Sequence, residues 1–118
     1  MSLNVLTSKE ALNDLLTAEQ THHFFIFKHS SSCSVSMSAR REVLKYSEHP
    51  KSLPIYELEV RDQRPLSNFI SDLFSITHES PQIILVKAGN TPVWNCSHFH
   101  ITEESLENAA LENLSPSA

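Results

Sequence analysis

The stretch FFIFKHSSSCSVS, residues 24–36, joins an apolar run to a serine-rich turn that contains one cysteine, Cys33. The run lies within HHFFIFKH, residues 22–29, and predicts a strand that is covered on both faces. After the turn, apolar side chains recur at the spacing of one helical face, at Val35, Ala39, Val43 and Tyr46. They predict a helix over residues 34–47. Cys33 is therefore expected between a buried strand and a helix.

Strand and helix patterns alternate further along the chain. LPIYELEV, residues 53–60, predicts a second strand, and DQRPLSNFISDLFSIT, residues 62–77, predicts a helix with one apolar stripe. PQIILVK, residues 81–87, and TPVWNCSHF, residues 91–99, flank the turn sequence AGN and predict a β-hairpin. Pro92 makes the second arm an edge strand, because proline cannot donate a hydrogen bond to a neighbouring strand.

Helices are predicted near both ends of the chain. Thr7 and Glu10 form a capping-box pattern before KEALNDLLTAEQ, residues 9–20. Thr102 can cap a last helix over EESLENAALENL, residues 103–114. The resulting order α-β-α-β-α-β-β-α predicts an α/β fold with right-handed crossovers and an antiparallel edge. We expect a four-stranded mixed sheet flanked by helices, similar to thioredoxin-like proteins, with an extra N-terminal helix.

Composition narrows the class of protein. The 118 residues predict a single domain over 1–118, and the net charge of −5 argues against nucleic acid as a partner. One glycine, Gly89, cannot build a glycine-rich phosphate loop. We find no secretion signal and no apolar run that could span a membrane, so we expect a cytoplasmic protein. In that reducing compartment, Cys33 and Cys96 are expected to be thiols.

The position of Cys33 favours a reactive thiol. It follows a central strand at its carboxyl end, where open α/β sheets bind ligands, and it begins a helix, whose free N–H groups favour a thiolate. Such positions lower a cysteine pKa from about 8.5 to roughly 3.5–7.5. Lys28 and His29 could add positive charge, and the hydroxyls of Ser32 and Ser34 could donate to the thiolate or a bound partner. The alternative is that Cys33 is an inert small residue in a turn.

Ser36 stands where a Cys-x-x-Cys motif would have its second cysteine. A serine cannot resolve a mixed disulfide, so Cys33 would hold the adduct until a second, soluble thiol attacked it. This arrangement implies a low-molecular-weight thiol as co-substrate and no tightly bound cofactor. Cys96 could act as an internal resolving thiol instead, but its position in the predicted edge strand is equally consistent with simple packing.

Two further patterns bear on the site. In ESPQIILV, Pro81 stands before the third strand, where thioredoxin-like proteins have a cis proline that faces the thiol. With a cis bond, the Ser80 backbone could pair with a substrate, whereas a trans proline would merely start the strand. Cys96, His98 and His100 alternate, so on a strand they would share one face and form a soft-metal triad that lacks a fourth ligand. We therefore predict no metal site.

Five blocks of the sequence, taken together, resemble the YtxJ-like monothiol bacilliredoxin family of thioredoxin-like proteins. The resemblance covers nearly the whole chain, with blocks in matching order and spacing. The blocks are IFKHSSSCSVS at 26–36, RREV at 40–43, RPLSNFIS at 64–71, HESPQIILVKAGN at 78–90 and VWNCSHFHIT at 93–102.

The resemblance implies a thioredoxin-like fold and an enzyme that removes bacillithiol from client proteins. Cys33 corresponds to the family's nucleophile, Ser36 to its serine in the resolving position and Pro81 to its cis proline. The family usually has proline after the cysteine, and Ser34 departs from this, which puts the thiol pKa and the specificity in question. A non-enzymatic interaction module and a monothiol iron–sulfur carrier are the alternatives, although carriers of that type use Cys-Gly-Phe-Ser rather than Cys-Ser-Val-Ser.

Overall fold

The computed structural model describes residues 3–18 and 22–114, which form one mixed sheet with helices on both faces. The strands are β1 (Asn4–Val5), β2 (Phe24–His29), β3 (Ile55–Glu59), β4 (Gln82–Lys87) and β5 (Thr91–Ser97). The helices are α1 (Lys9–Ala18), α2 (Ser34–Ser47), α3 (Arg64–Phe74) and α4 (Glu103–Leu114), and a 3-10 turn spans His98–His100. The end of the first predicted helix, residues 19–20, lies outside the described residues.

The sheet has the strand order β1-β3-β2-β4-β5. β1, β3 and β2 run parallel, and β4 and β5 add the antiparallel edge that the hairpin pattern predicts. β5 is an edge strand, as Pro92 indicates. The expectation of four strands is wrong, because β1 pairs with β3 through Asn4 and Val5. A strand of two residues is too short to show an alternating pattern in the sequence.

β2 is buried on both faces, which explains its continuous apolar sequence. Phe24 and Ile26 belong to a core beneath α1 and α3, whereas Phe25 and Phe27 belong to a core beneath α2 and α4. All four side chains are fully buried. None of the helices within residues 3–18 and 22–114 is long and apolar enough to cross a membrane.

The two outer helices are capped by hydroxyl groups. Before α1 the cap is Ser8 rather than Thr7, since the Ala11 N–H donates to the Ser8 Oγ at 3.0 Å. The capping-box prediction is therefore wrong, because the residue three positions after Ser8 is Ala11, whose side chain cannot accept a hydrogen bond in return. Before α4 the prediction is confirmed, because the Ser105 N–H donates to the Thr102 Oγ1 at 3.0 Å. The Thr102 N–H donates back to the Ser105 Oγ, which completes a reciprocal cap.

A buried carboxylate joins α2 to the sheet. Glu57, in β3, has a side chain that is only 7% exposed. Arg40, in α2, donates from Nε and Nη2 to its two oxygens at 2.9 and 3.1 Å, and the His29 Nε2 lies 3.0 Å from Oε1. Burial alone would raise the pKa of Glu57, but the hydrogen bonds from His29 and Arg40 outweigh it and lower the pKa from 4.5 to about 2.

Removal of the Arg40 side chain should destabilise the fold. Arg40→Ala leaves the buried Glu57 charge without its bidentate partner, and we expect the free energy of unfolding to fall by roughly 3 kcal/mol. Arg41→Ala is the matched control, because Arg41 is the exposed neighbour on the same helix, and it should change stability by less than about 0.5 kcal/mol. Urea unfolding monitored by circular dichroism measures both variants.

The pH dependence separates the ion pair from simple loss of packing. A carboxyl with a lowered pKa contributes stability above its unfolded pKa, 4.5, and loses it as the pH falls through about 2. The difference in stability between wild type and Arg40→Ala should therefore shrink over that interval. A difference in stability that stays constant down to pH 2 would contradict the assignment of an ion pair between Arg40 and Glu57.

Candidate thiol site

Cys33 lies at the carboxyl end of β2, the central strand, and is the N-cap residue of α2. Its backbone is extended, with φ −108° and ψ 125°. The Cys33 N–H donates to the Ser30 carbonyl at 3.1 Å, and the Cys33 carbonyl accepts from the Met37 N–H at 3.0 Å. These bonds hold the half-buried thiol in place where the chain turns from the strand into the helix.

The first turn of α2 makes Cys33 more acidic. The Cys33 side chain forms no capping hydrogen bond of ordinary geometry. The N–H groups of Ser36 and Val35 nevertheless lower the pKa of the Cys33 thiol, because they stabilise an anion at the positive end of the helix. The Ser36 hydroxyl lowers the pKa further and partial burial opposes the shift. The predicted thiolate environment is therefore present.

Ser36 is fully buried beneath the turn. Its Oγ accepts a hydrogen bond from the Ser30 N–H at 3.0 Å, which leaves the hydroxyl proton available for the Cys33 sulfur. Ser32 and Ser34 flank the thiol and are both exposed. The Ser32 Oγ lies 3.2 Å from the Ser30 Oγ. The turn thus presents small hydroxyl groups around the thiol.

Lys28 and His29 point away from the thiol, to opposite faces of the sheet. The Lys28 Nζ donates to the Ser67 carbonyl at 2.9 Å and to the Ser71 Oγ at 2.8 Å, both in α3. Burial, followed by the nearby Arg64 guanidinium, lowers the pKa of Lys28 to about 8. His29 is engaged with Glu57. The positive charge that the sequence offers near Cys33 is therefore directed elsewhere.

Ser80 and Pro81 lie at the same end of the sheet as Cys33. Lys28 pairs with Gln82 in the antiparallel ladder, so the residues before β4 stand beside the end of β2. The Ser80–Pro81 peptide bond is cis, as the resemblance implies. Pro81 is buried, and the buried Ser80 Oγ has no hydrogen-bond partner among the described residues. The structure thus brings Cys33, Ser36 and this segment to one edge.

Cys96 is half-buried like Cys33, but its pKa is shifted in the opposite direction. It packs on the core beneath α2 and α4, and burial raises the pKa of its thiol to about 11. It forms no disulfide. The postulated face shared with His98 and His100 does not exist, because β5 ends at Ser97 and His98 enters a 3-10 turn with φ 56°. Among residues 3–18 and 22–114, no cluster of side chains could hold a metal ion.

Sequence reasoning missed the carboxylates that support the turn. Glu59 accepts a hydrogen bond from the Ser31 N–H at 2.6 Å, and Glu57 anchors α2 through Arg40. Alternating glutamates in IYELE predict a solvated strand face, so their pattern gave no warning.

The arrangement can support nucleophilic attack by one thiol. A half-buried sulfur with a lowered pKa is next to small hydroxyls, while the second cysteine is held protonated at neutral pH. Ser36 can stabilise the anion but cannot form a disulfide. Adducts on Cys33 must therefore be released by a thiol from outside these residues.

Comparisons with known proteins agree with this geometry. The family model described as Monothiol bacilliredoxin BrxC matches residues 4–106. A solved structure provisionally described as an oxidoreductase with a thioredoxin fold is 30% identical, with a TM-score of 0.81 over 91% of this chain and 92% of that one.

More distant structures show the fold alone. Fasciola hepatica thioredoxin is 14% identical, with a TM-score of 0.74 over 94% of this chain and 99% of that one. The thioredoxin NaTrxh from Nicotiana alata is 12% identical, with a TM-score of 0.73 over 94% and 91%. The fold is therefore thioredoxin-like, as the order of strands and helices predicts.

The two thiols should separate in an alkylation experiment. With iodoacetamide at increasing pH, intact-mass spectrometry should show modification of Cys33 near neutral pH. Cys96 should stay unmodified until the pH approaches 11 in the folded protein, because its thiolate is buried and unfavourable. Equal rates for the two thiols at pH 7 would contradict the assigned environments, and urea-unfolded protein serves as the control in which both react alike.

Ser36→Ala should raise the pKa of Cys33, because it removes the hydroxyl that lowers it while the helix N–H groups remain. We expect the rate of Cys33 alkylation at pH 7 to fall severalfold and the midpoint of its pH profile to move upward. Ser34→Ala is the control, since Ser34 is exposed and contributes nothing to that shift. An unchanged profile for Ser36→Ala would rule out the hydroxyl as a stabilising group.

Proposed function

The chain belongs to the monothiol bacilliredoxin family, and on this premise we propose that it removes bacillithiol from protein mixed disulfides through Cys33. It acts as a thiol-disulfide oxidoreductase in the cytoplasm. Its substrates are bacillithiolated client proteins, and its co-substrate is bacillithiol or another low-molecular-weight thiol. No metal or tightly bound cofactor takes part in the proposed reaction.

The first step is transfer of the bacillithiol group to Cys33. The Cys33 thiolate attacks the bacillithiol sulfur of the mixed disulfide, a new sulfur–sulfur bond forms, and the client cysteine leaves as a thiolate that water protonates. One disulfide replaces another, so the client cysteine is reduced while Cys33 is oxidised. The Ser36 hydroxyl and the N–H groups of α2 stabilise the attacking anion.

The second step regenerates the enzyme. A bacillithiol thiolate attacks the bacillithiol sulfur on Cys33, which gives bacillithiol disulfide and returns Cys33 as a thiolate. The low pKa that makes Cys33 an available nucleophile also makes it a good leaving group at this point. Ser32 and Ser34 are the neighbours of Cys33 in the chain, and Ser80 and Pro81 lie at the same edge of the sheet. We assign all four to substrate binding.

The observation that carries this proposal is the contrast between Ser36 and Cys96. The position that resolves mixed disulfides in dithiol enzymes holds a buried hydroxyl, and the only other thiol in the sequence has a pKa of about 11. Neither can discharge the Cys33 adduct rapidly at neutral pH. A mechanism that uses one protein thiol and one soluble thiol does not need Ser36 or Cys96 to release the adduct.

Cys33→Ala should abolish transfer. We would mix the purified protein with a bacillithiolated client and follow the adduct by intact-mass spectrometry. Wild type should gain the mass of one bacillithiol on Cys33 and lose it again when free bacillithiol is added, whereas Cys33→Ala should gain none.

Cys96→Ala is the matched control and should transfer and discharge like wild type. Transfer that persists in Cys33→Ala would exclude Cys33 as the nucleophile. A Cys33 adduct that discharges without added thiol, and does so only when Cys96 is present, would replace the monothiol mechanism with an internal one.

A further inference from the structure

His78 lies three residues before Pro81, between the sheet and α3. Its Nδ1 lies 3.1 Å from the Ser67 Oγ and 3.4 Å from the Lys28 Nζ, and its Nε2 lies 3.4 Å from the Arg64 Nη1. Lys28 belongs to β2, whereas Arg64 and Ser67 belong to the first turn of α3. One half-buried imidazole ring therefore joins the chain before β4 to a strand and to a helix.

Residues 77–82 form a segment that surrounds the Ser80–Pro81 bond, and we call it the proline segment. The Gln82 Nε2 donates to the carbonyl at the start of the segment at 3.0 Å, which closes the segment on itself. On the side of β5, the His98 N–H donates to the Pro81 carbonyl at 3.0 Å. Within the part of the chain that the structure describes, His78 is the only residue of the segment whose side chain hydrogen-bonds to α3. The ring therefore fixes the proline segment to that helix.

A neutral imidazole fits these contacts, whereas an imidazolium does not. With its proton on Nδ1, the His78 ring donates to the Ser67 Oγ and accepts from the Arg64 guanidinium at Nε2. An imidazolium carries a proton on both nitrogens, so it could not accept from Arg64. It would also place a third positive charge between the Arg64 guanidinium and the Lys28 ammonium.

The charges around the ring favour its neutral form. Neither Lys28 nor Arg64 has a carboxylate partner among the described residues. The nearby carboxylates are Glu79, the next residue, and Asp72 of α3, which lines the same cleft. Burial, followed by the charges of Lys28 and Arg64, lowers the pKa of His78 below its ordinary 6.5. Glu79 offsets only part of this shift. The contact is therefore complete at pH 7 and is lost as the pH falls through the lowered pKa.

We propose that His78 is a positioning residue for the substrate: its neutral ring fixes the proline segment to α3, and its protonation releases the segment and weakens substrate binding. This inference rests on the proposed function and adds a pH limit to the same site. The effect is separate from the chemistry of the thiol, because His78 is not among the groups that shift the pKa of Cys33.

The first test separates the proline segment from the thiol. Transfer from a bacillithiolated decapeptide needs the segment, whereas alkylation of Cys33 by iodoacetamide does not. His78→Asn keeps a polar group near the position of Nδ1 but does not titrate. Since the titration of Cys33 is common to both proteins, it cancels in the ratio of their kcat/KM values. We expect the ratio of His78→Asn to wild type to stay within about twofold of one at pH 8 and to rise about fivefold towards pH 5. Alkylation rates should agree throughout.

Two further variants complete the comparison. His78→Ala removes the contact at every pH, so KM should rise about tenfold while kcat changes little. His49→Asn is the matched control, because the same substitution is made in a histidine that follows α2, at the opposite end of that helix from Cys33. This control should keep the wild-type KM and its pH dependence.

A second test does not depend on the reaction. In wild type, the heteronuclear NOE of the Ser80 amide should fall as the His78 ring is protonated, because the released segment becomes mobile on the nanosecond timescale. In His78→Asn, the NOE should not change over the same pH range.

Three results would overturn the role of His78. They are a kcat/KM ratio that is independent of pH, a wild-type KM in His78→Ala, and an alkylation rate of Cys33 that changes in parallel with transfer. If wild type accepts no bacillithiol although Cys33 is alkylated normally, the proposed function fails instead. The NOE measurement then decides the role of His78 by itself, and a Ser80 signal that ignores the titration of the ring would overturn it.

Discussion

The position of the thiol depends on the two polar side chains that end β2. Four consecutive apolar residues precede them, all fully buried, so the apolar run alone does not determine which side chains face which helices. Lys28 must reach the Ser67 carbonyl and Ser71 on the α3 side, and His29 must reach Glu57 on the α2 side. A shift of one residue would exchange these partners and take Lys28 and Glu57, both buried, away from the groups that hydrogen-bond to them. The register, and with it the start of the turn that holds Cys33, follows from this pair.

The pKa values of the two cysteines are shifted in opposite directions, and the cause is their surroundings. Cys33 meets the positive end of a helix and a buried hydroxyl, which favour its thiolate. Cys96 lies against an apolar core, where burial penalises the same anion and raises the pKa to about 11. Because only Cys33 has a lowered pKa, the protein has one activated thiol although it contains two cysteines. Since Ser36 occupies the remaining position, the proposed mechanism takes its second thiol from solution.

The length of each sequence pattern decided whether the corresponding helix or strand could be predicted. α2 was predicted over residues 34–47 and spans those residues, because its apolar spacing and its neighbours agree. β1 was missed, since two residues show no period. Glu57 was missed because alternating charge in a strand indicates solvent, and only tertiary packing places Arg40 and His29 against it. No metal site was predicted at Cys96, His98 and His100, and the shared strand face that such a site would require is absent, because the turn at His98 ends the strand.

Chemistry and recognition come from different parts of the chain. The groups that lower the pKa of Cys33 all belong to the first turn of α2, and their effect depends on backbone direction and on Ser36. The cis bond before Pro81 lies at the same edge of the sheet as the thiol turn but in a different part of the chain, and no hydrogen bond joins the two among the described residues. Substitutions in the segment before β4 can therefore change what approaches the thiol without changing the groups that lower its pKa.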